Sequence, residues 1–249
     1  MKKTHLGIAN CSRVIFYFLI CMLSVTPLCH AEMAVHEIAD QAMASTLLIV
    51  GIDGYGEPVN YGSGFVFAPH MVATNAHVIE DAEAVAMVLM DTEEVYVASR
   101  LVAYDPILDL AIMEVDTLTA PALSIRSKGR LRIGDKVYAL GNPMGLQGTF
   151  SMGNVSAFRK LKEITMIQMT TPLSPGSSGG PVLDSNCKVV GIATAQYTEG
   201  QNLNFAVPAT YLKKLIKKHS NSIDSLRQYS HKVPKKENGE IKKWFQNSN

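Results

Sequence analysis

A serine fenced by glycines stands in Ser174-Pro175-Gly176-Ser177-Ser178-Gly179-Gly180-Pro181-Val182, directly before an apolar, strand-like run, Pro181-Val182-Leu183. Glycine tolerates backbone conformations that a side chain forbids, and it lets another chain come close. A tight turn of this kind can present one hydroxyl and aim several backbone N–H groups at one point. An acyl-transfer enzyme needs both features: a nucleophile, and a pocket for the oxyanion that its attack creates. Taken alone, the run is equally compatible with an ordinary Gly-rich loop. Two segments upstream add to it. In Val72-Ala73-Thr74-Asn75-Ala76-His77-Val78-Ile79 a histidine closes an apolar stretch. Histidine takes and returns a proton near neutral pH, although a lone histidine can also be structural. In Asp105-Pro106-Ile107-Leu108-Asp109-Leu110-Ala111-Ile112-Met113-Glu114-Val115, Asp109 opens an alternating strand pattern. An acid that opens a buried strand needs a partner, because burying an unpaired charge is costly. An imidazole N–H is one such partner. The chain order is His77, Asp109, Ser178.

This order, with these local sequences, resembles the trypsin-like serine proteases, and most closely the protease domain of the HtrA/DegP type. The matching pieces are Gly62-Ser63-Gly64-Phe65-Val66, Thr74-Asn75-Ala76-His77-Val78, Asp105-Pro106 to Asp109-Leu110-Ala111, Gly141-Asn142-Pro143-Met144-Gly145, Pro175-Gly176-Ser177-Ser178-Gly179-Gly180-Pro181, and Asn204-Phe205-Ala206-Val207-Pro208. They keep the family's order and cover about residues 45–218. The resemblance implies an all-β fold, two six-stranded antiparallel barrels with the site in the cleft between them. It implies that Ser178 is the nucleophile, His77 the general base and then acid, and Asp109 the group that orients the imidazole. The N–H groups of Gly176 and Ser178 are the implied oxyanion hole. The strand around Leu203-Asn204-Phe205 is expected to pair with the substrate backbone as an added strand. The resemblance also implies that Pro172, six residues before Ser178, stands at the base of the primary pocket. With no acid there, and with Leu173 and Phe205 nearby, the pocket is expected to take small or medium aliphatic side chains, not Arg or Lys.

Several positions depart from the family pattern. Ser177 precedes the nucleophile where HtrA-type enzymes usually carry Asn and digestive trypsins carry Asp. Thr170 stands where the pattern Thr-Asp-Ala carries its acid. The Phe158–Ile164 segment is short for a regulatory loop, and too few residues follow Pro208 for a PDZ domain. The implied activity is an endopeptidase acting on polypeptides through an acyl-enzyme, with no cofactor and no metal. The alternative is a non-catalytic protein of the same fold that binds polypeptide segments as a chaperone or interaction module.

The elements that must position these residues follow from the pattern. Runs of apolar and β-branched residues recur about every ten positions from Leu47–Ile52 to Leu203–Val207, punctuated by Gly, Pro, Asn and Asp. They include Gly64–Phe67, Met71–Thr74, Ala84–Met90, Glu94–Ser99, Ala111–Val115, Lys136–Leu140, Gly148–Met152, Ile164–Met169 and Lys188–Ala195. This spacing predicts a barrel or sandwich and not βαβ units. The Pro-containing stretch Ala120–Ser127 is the expected junction between the barrels. Helical spacing predicts one helix over Glu32–Ala44 and a C-terminal helix over Pro208–His219, with Pro208 at its permitted first turn. His36, His70 and His219 have no metal-ligand spacing with Cys or acidic residues.

The 249 residues carry a net charge of +1, so no global field points to a nucleic-acid partner. Lys2, Lys3 and Arg13 precede or begin the apolar run Val14–Leu23, and Cys29-His30-Ala31 offers small residues for cleavage before Glu32. Residues 1–31 therefore read as an export signal, too short for a comfortable membrane span, and the mature protein as periplasmic or secreted with no stable membrane span. An uncleaved anchor is the alternative. Residues 32–219 form the expected protease domain. Of the four cysteines only Cys187 stays after the cut, so no internal disulfide is expected. The tail, residues 220–249, is polar and rich in lysine and ends near Trp244-Phe245. It reads as a solvated extension or as a docking site for an anionic partner. Oligomerisation is left open.

Overall fold

The computed structural model describes residues 32–220 apart from 93, 143–147, 162–163 and 197–202, so the expected export signal and nearly all of the tail lie outside the described residues. In chain order the first half contains helix α1 (Val35–Met43), β1 (Thr46–Ile52), β2 (Pro58–Ala68), β3 (Met71–Thr74), a 3₁₀ turn (Ala76–Val78), β4 (Ala84–Leu89), β5 (Val95–Val97), β6 (Arg100–Asp105) and β7 (Leu110–Glu114). The second half contains β8 (Lys136–Gly141), β9 (Thr149–Leu161), β10 (Ile164–Met169), β11 (Pro181–Leu183), β12 (Val189–Gln196), β13 (Asn204–Pro208) and helix α2 (Ala209–Ser220). The all-β class with a C-terminal helix is what the sequence predicts.

The second half is a closed six-stranded antiparallel barrel in the order β10-β13-β12-β11-β8-β9. The first half is a seven-stranded sheet, β5-β4-β1-β2-β3-β7-β6, and not a plain ring of six. The reason lies at its two edges. β5 and β6 are consecutive in the chain and separated only by Ala98-Ser99. The Ala98 N–H donates to Val85 O of β4, and the next N–H, on Ser99, donates to Glu114 O of β7. One sharply bent strand thus pairs with β4 before the corner and with β7 after it. Counted as one strand, it restores six and curls the sheet back toward itself.

Side chains of β7 pack on both faces, which explains its continuous apolar sequence. Ala111 and Met113 join Leu47, Ile49, Val66 and Met87 inside the first half. Leu110 and Ile112 join Phe65 in a second cluster with Leu140, Leu183, Ile192 and Val207 from the second half. This cluster is the seam along which the two halves meet, and Asp109 sits at its edge, one residue before Leu110. The interior of the closed barrel is a third cluster, with Val137, Val155, Ile167, Val182, Val190 and Ala206. The chain crosses between the halves over residues 115–135. There the Leu123 N–H donates to Val66 O, and Arg126 and Val189 are joined through Arg126 N–H to Val189 O.

Helix α1 is shorter than expected. It starts after Ala34, whose N–H donates to Glu37 Oε2 at 3.1 Å. Its Ile38 and Ala42 are fully buried in the seam cluster. Burial of one such isoleucine contributes about 1.5–3 kcal/mol. Helix α2 follows Pro208 and buries Leu212 and Leu215. No helix among the described residues is long and apolar enough to cross a membrane.

The turn after β11 closes through Asp184, whose Oδ1 accepts the N–H groups of Asn186 and Lys188. Cys187 occupies the left-handed corner of this turn at φ 54 and is 2% exposed. Burial pushes its thiol up to about 11. A thiol reacts as its thiolate. The native protein at pH 8 is therefore expected to leave Cys187 unmodified by Ellman's reagent over minutes, and to react with one equivalent per chain, in the form lacking residues 1–31, once guanidinium unfolds it.

Candidate active site

The three residues singled out by type and order come together at the seam. β3 ends at Thr74, and the chain turns through Asn75 into the 3₁₀ turn that carries His77. The β6–β7 connection supplies Asp109 in the left-handed region at φ 53. Aspartate tolerates this region better than most side chains, and a non-glycine residue there marks a constrained site. The constraint has visible partners. Asn75 Nδ2 donates to Asp109 O at 2.7 Å. The Asp109 carboxylate accepts the His77 backbone N–H at 3.1 Å and lies 2.9 Å from His77 Nδ1 through both oxygens. The Thr194 hydroxyl on β12 also donates to Asp109 Oδ2.

Burial pushes the Asp109 carboxyl up, but hydrogen bonds from the His77 ring and the Thr194 hydroxyl, with the His77 charge and backbone N–H, outweigh it and hold it below its usual 3.8. Asp109 is thus an anion at neutral pH with both oxygens occupied. It fixes the proton on His77 Nδ1 and leaves Nε2 as the basic nitrogen. Nε2 makes no hydrogen bond among the described residues, and His77 is half exposed.

Ser178 comes from the loop between β10 and β11. Its hydroxyl donates to Thr194 O at 3.0 Å, not to His77. Ser63 of β2 holds this loop from the opposite half. The Ser63 N–H donates to Ser178 O at 2.7 Å. The Ser63 hydroxyl donates to Gly176 O at 2.7 Å and accepts the Asn142 N–H at 2.9 Å. Thr74 Oγ1 donates to Ser63 O at 2.7 Å, and Ser63 is fully buried. Gly176 and Gly179 have φ of 95 and 88, open only to glycine at low cost. A Cβ on Gly179 would lie 2.0 Å from Ser63 O. Neither the Gly176 nor the Ser178 N–H has a partner among the described residues. Ser177 faces its own loop, its Oγ accepting the Ser174 N–H at 3.3 Å. Thr170 takes the Asn154 N–H on Oγ1 at 2.9 Å and donates its own N–H to Asn154 O, so a neutral pair anchors the base of the loop.

The expected substrate-binding residues do not form one surface. Pro172 is exposed. Leu173 is buried in the interior of the closed barrel, whereas Phe205 is buried in the seam cluster. Leu203 precedes β13 and packs against the seam cluster. Asn204 and Phe205 already pair with Met169 and Gln168 of β10 on one side and with Gln196 and Ala195 of β12 on the other. Barrel closure leaves this stretch no free edge, so it cannot take an added strand as expected. The free edge belongs to the end of β12, whose pairing with β11 stops at Ile192. Beyond it, Thr194 O touches Ser178 Oγ, and Ala195 and Gln196 have no strand partner on that side among the described residues. The Asn204 and Thr171 side chains are buried next to this region, with Oδ1 and Oγ1 unpaired among the described residues.

Thr194 was not singled out from sequence, and Ser63 and Asn75 stood inside matched motifs with no role given to them. Each acts on a residue far away in the chain, and only the polar Thr194 within Gly191-Ile192-Ala193-Thr194-Ala195 breaks its local pattern.

Two substitutions test this geometry. Asp109→Asn can turn an amide donor toward His77 Nδ1 where the carboxylate accepts its proton, and is expected to lower turnover about 10⁴-fold. Because the folded carboxyl is held below 3.8, its contribution to stability is present above that pH and is lost as pH falls through the folded value. Acid unfolding followed by circular dichroism should therefore show the wild type's margin over Asp109→Asn shrinking below pH 3.8. Ser63→Ala leaves Gly176 O and the Asn142 N–H unpaired and touches no substrate. It is expected to lower kcat about tenfold, about 1.4 kcal/mol, with KM nearly unchanged. Restoring the hydroxyl with Ser63→Thr should recover part of the loss; a change in KM alone would point away from the loop.

The family model for the trypsin-like peptidase domain matches residues 62–192. A "Probable periplasmic serine endoprotease DegP-like" of Bartonella henselae is 37% identical over 170 residues, 64% of this chain and 33% of that protein. The chain spans about a third of the length of such curated relatives. The crystal structure of the serine endoprotease from Yersinia pestis superposes with a TM-score of 0.68 at 25% identity, covering 77% of this chain and 68% of that one. The active form of the Rv3671c protease from M. tuberculosis gives 0.67 at 25% identity, covering 73% and 83%.

Proposed function

The chain belongs to the trypsin-like peptidase family, and from that premise we propose that it is an exported serine endopeptidase working through Ser178, His77 and Asp109. The observation that carries the reading is the Asp109 carboxylate on His77 Nδ1, with the Ser178 loop hydrogen-bonded to the same seam. Asp109 keeps the Nδ1 proton in place, so His77 Nε2 is free to accept the Ser178 hydroxyl proton. That proton leaves its resting contact with Thr194 O as Oγ attacks the scissile carbonyl. The carbonyl oxygen becomes an anion, received by the N–H groups of Gly176 and Ser178, which have no partner among the described residues; such a donor contributes about 3–4 kcal/mol to the transition state. His77 then gives its proton to the leaving amine, and water repeats the cycle to release the acid and restore Ser178.

Substrate backbone joins the free edge of β12 at Thr194–Gln196, a short added strand that brings the scissile bond to Ser178. Residues 32–219 constitute the catalytic domain, with its two barrels meeting near 120–127. Residues 1–31 direct export and are removed, and residues 220–249 form a basic tail. The relatives called periplasmic support the export reading. Cleavage does not follow Arg or Lys, because Pro172 places no acid at the expected pocket base.

A fluorophosphonate probe should label Ser178 of the wild type, with the adduct mapped by mass spectrometry. Ser178→Ala should fold normally and lose casein hydrolysis by at least about 10³-fold. Wild-type turnover in the Ala variant, or no labelling of a folded wild type, would replace the enzyme with a polypeptide-binding member of the fold.

A further inference from the structure

Charge is divided between the two halves of this protein in a way the net value hides. Residues 32–116 contain fifteen Asp and Glu against one basic residue, Arg100, whereas residues 117–220 contain thirteen Lys and Arg against four acids. The positive half holds a cavity of about 210 Å³ that plays no part in the site above. It lies where the crossing segment, β9, β10, β12 and the start of α2 converge, with Arg126, Arg130, Leu131, Phe158, Ile167 and Val190 among its lining residues. Ile167 and Val190 also belong to the interior of the closed barrel. The cavity therefore reaches that interior from its far end. Val190 is four residues before Thr194 on β12, about 13 Å from the site at 3.3 Å per residue.

Two kinds of wall meet there. One is apolar: Leu131, Phe158, Ile167 and Val190, with Phe158 of β9 37% exposed. The other is positive. The Arg126 guanidinium lies 3.5 Å from Asp184 Oδ2 and donates to Lys128 O, so it is committed to the fold. Lys213 Nζ donates to Arg126 O at 2.7 Å and brings another cation alongside. Arg130 is exposed and its guanidinium has no partner among the described residues. Ala209 and Thr210, the first residues of α2, also line the cavity, and a helix's first N–H groups lack intrahelical acceptors.

We propose that this cavity binds the carboxyl end of a polypeptide whose last residue is aliphatic. Arg130 and the first turn of α2 take the carboxylate, and the apolar wall takes the terminal side chain. The volume is below the range of sites that enclose a drug-sized ligand, roughly 300–1,000 Å³, and suits one side chain with its carboxylate. A peptide amide of the same sequence lacks the charge that the positive wall complements. The proposal rests on the endopeptidase reading in one respect, because each peptide-bond cleavage releases a new carboxyl end.

The test uses Ser178→Ala protein, so binding is read without hydrolysis. A fluorescein-labelled octapeptide ending in valine is titrated by fluorescence anisotropy, once as the free acid and once as the amide. The acid is expected to bind at least about tenfold more tightly. Arg130→Glu should abolish that difference, and Phe158→Ala should weaken the acid form. Both positions lie outside the catalytic machinery, so each variant with Ser178 intact should keep the wild-type rate of fluorophosphonate labelling. Equal affinity for acid and amide overturns the proposal. So does an unchanged preference in Arg130→Glu, which would put the peptide in the catalytic cleft. Binding of myristate without binding of the peptide would assign the cavity to a free fatty acid and overturn it equally. If the endopeptidase reading alone fails, Ser178 goes unlabelled while the acid-over-amide preference persists.

Discussion

Ser63 is the side chain on which the geometry of this site turns. Its backbone N–H and hydroxyl hold the carbonyls of Ser178 and Gly176, two residues apart in the nucleophile loop. Its own carbonyl is held by Thr74, one residue before Asn75 and three before His77. A single buried residue thus fixes the loop that carries Ser178 to the strand end that leads to His77. Neutral hydrogen bonds contribute only about 0.5–1.5 kcal/mol net each, but leaving a buried partner unsatisfied costs about 1–3 kcal/mol. The arrangement therefore resists partial opening more than the worth of any one bond suggests.

Close packing sets the same constraint sterically. Gly179 lies against Ser63 O and Thr74 Oγ1 so tightly that no Cβ fits. The glycines that give the loop its conformational range also let it come within hydrogen-bonding distance of the other half. Behind them the seam cluster, with Phe65, Ile112, Leu140 and Ile192, excludes water from the contact. Apolar burial supplies the adhesion between the halves, and the polar contacts at its rim set the register. Asp109 sits at that rim, near enough to the core to be partly desolvated and near enough to His77 and Thr194 to stay ionised.

His77, Asp109 and Ser178 could be picked out as candidates because each lies in a short local pattern, and the closed barrel was legible because its strands recur at even spacing. What was not legible depends on contacts between distant residues. Strand β6 has a mostly half-buried sequence with little alternation, and its strand character comes from pairing with β7. β2 and β9 extend well beyond their apolar cores, because Pro58–Tyr61 and Ser156–Leu161 are held by neighbours and not by burial. The corner at Ala98-Ser99 has no local signature, since only the hand-over from Val85 to Glu114 defines it. The added-strand expectation at Leu203-Asn204-Phe205 failed for the same reason. Whether a strand has a free edge is a property of the closed ring, and no window of sequence contains it.

The neutral replacements in the nucleophile loop follow from this same economy of contacts. Where digestive relatives place an acid before the nucleophile, Ser177 here closes a turn on Ser174. Where the HtrA pattern has an acid, Thr170 forms a reciprocal pair with Asn154 of β9. No charge is buried at either position, so neither needs a buried counter-charge. The N-terminal segment is itself held elsewhere, with the Met33 N–H on Ser185 O and Ile38 against the Cys187 turn. The loop is therefore ordered by a sum of short neutral bonds that form as the two halves meet. Its order then depends on how firmly the second barrel holds Thr170, Leu173 and Thr194 in place. β10 and β12 carry those residues or lead to them, and Ile167 and Val190 of the same strands line the distal cavity.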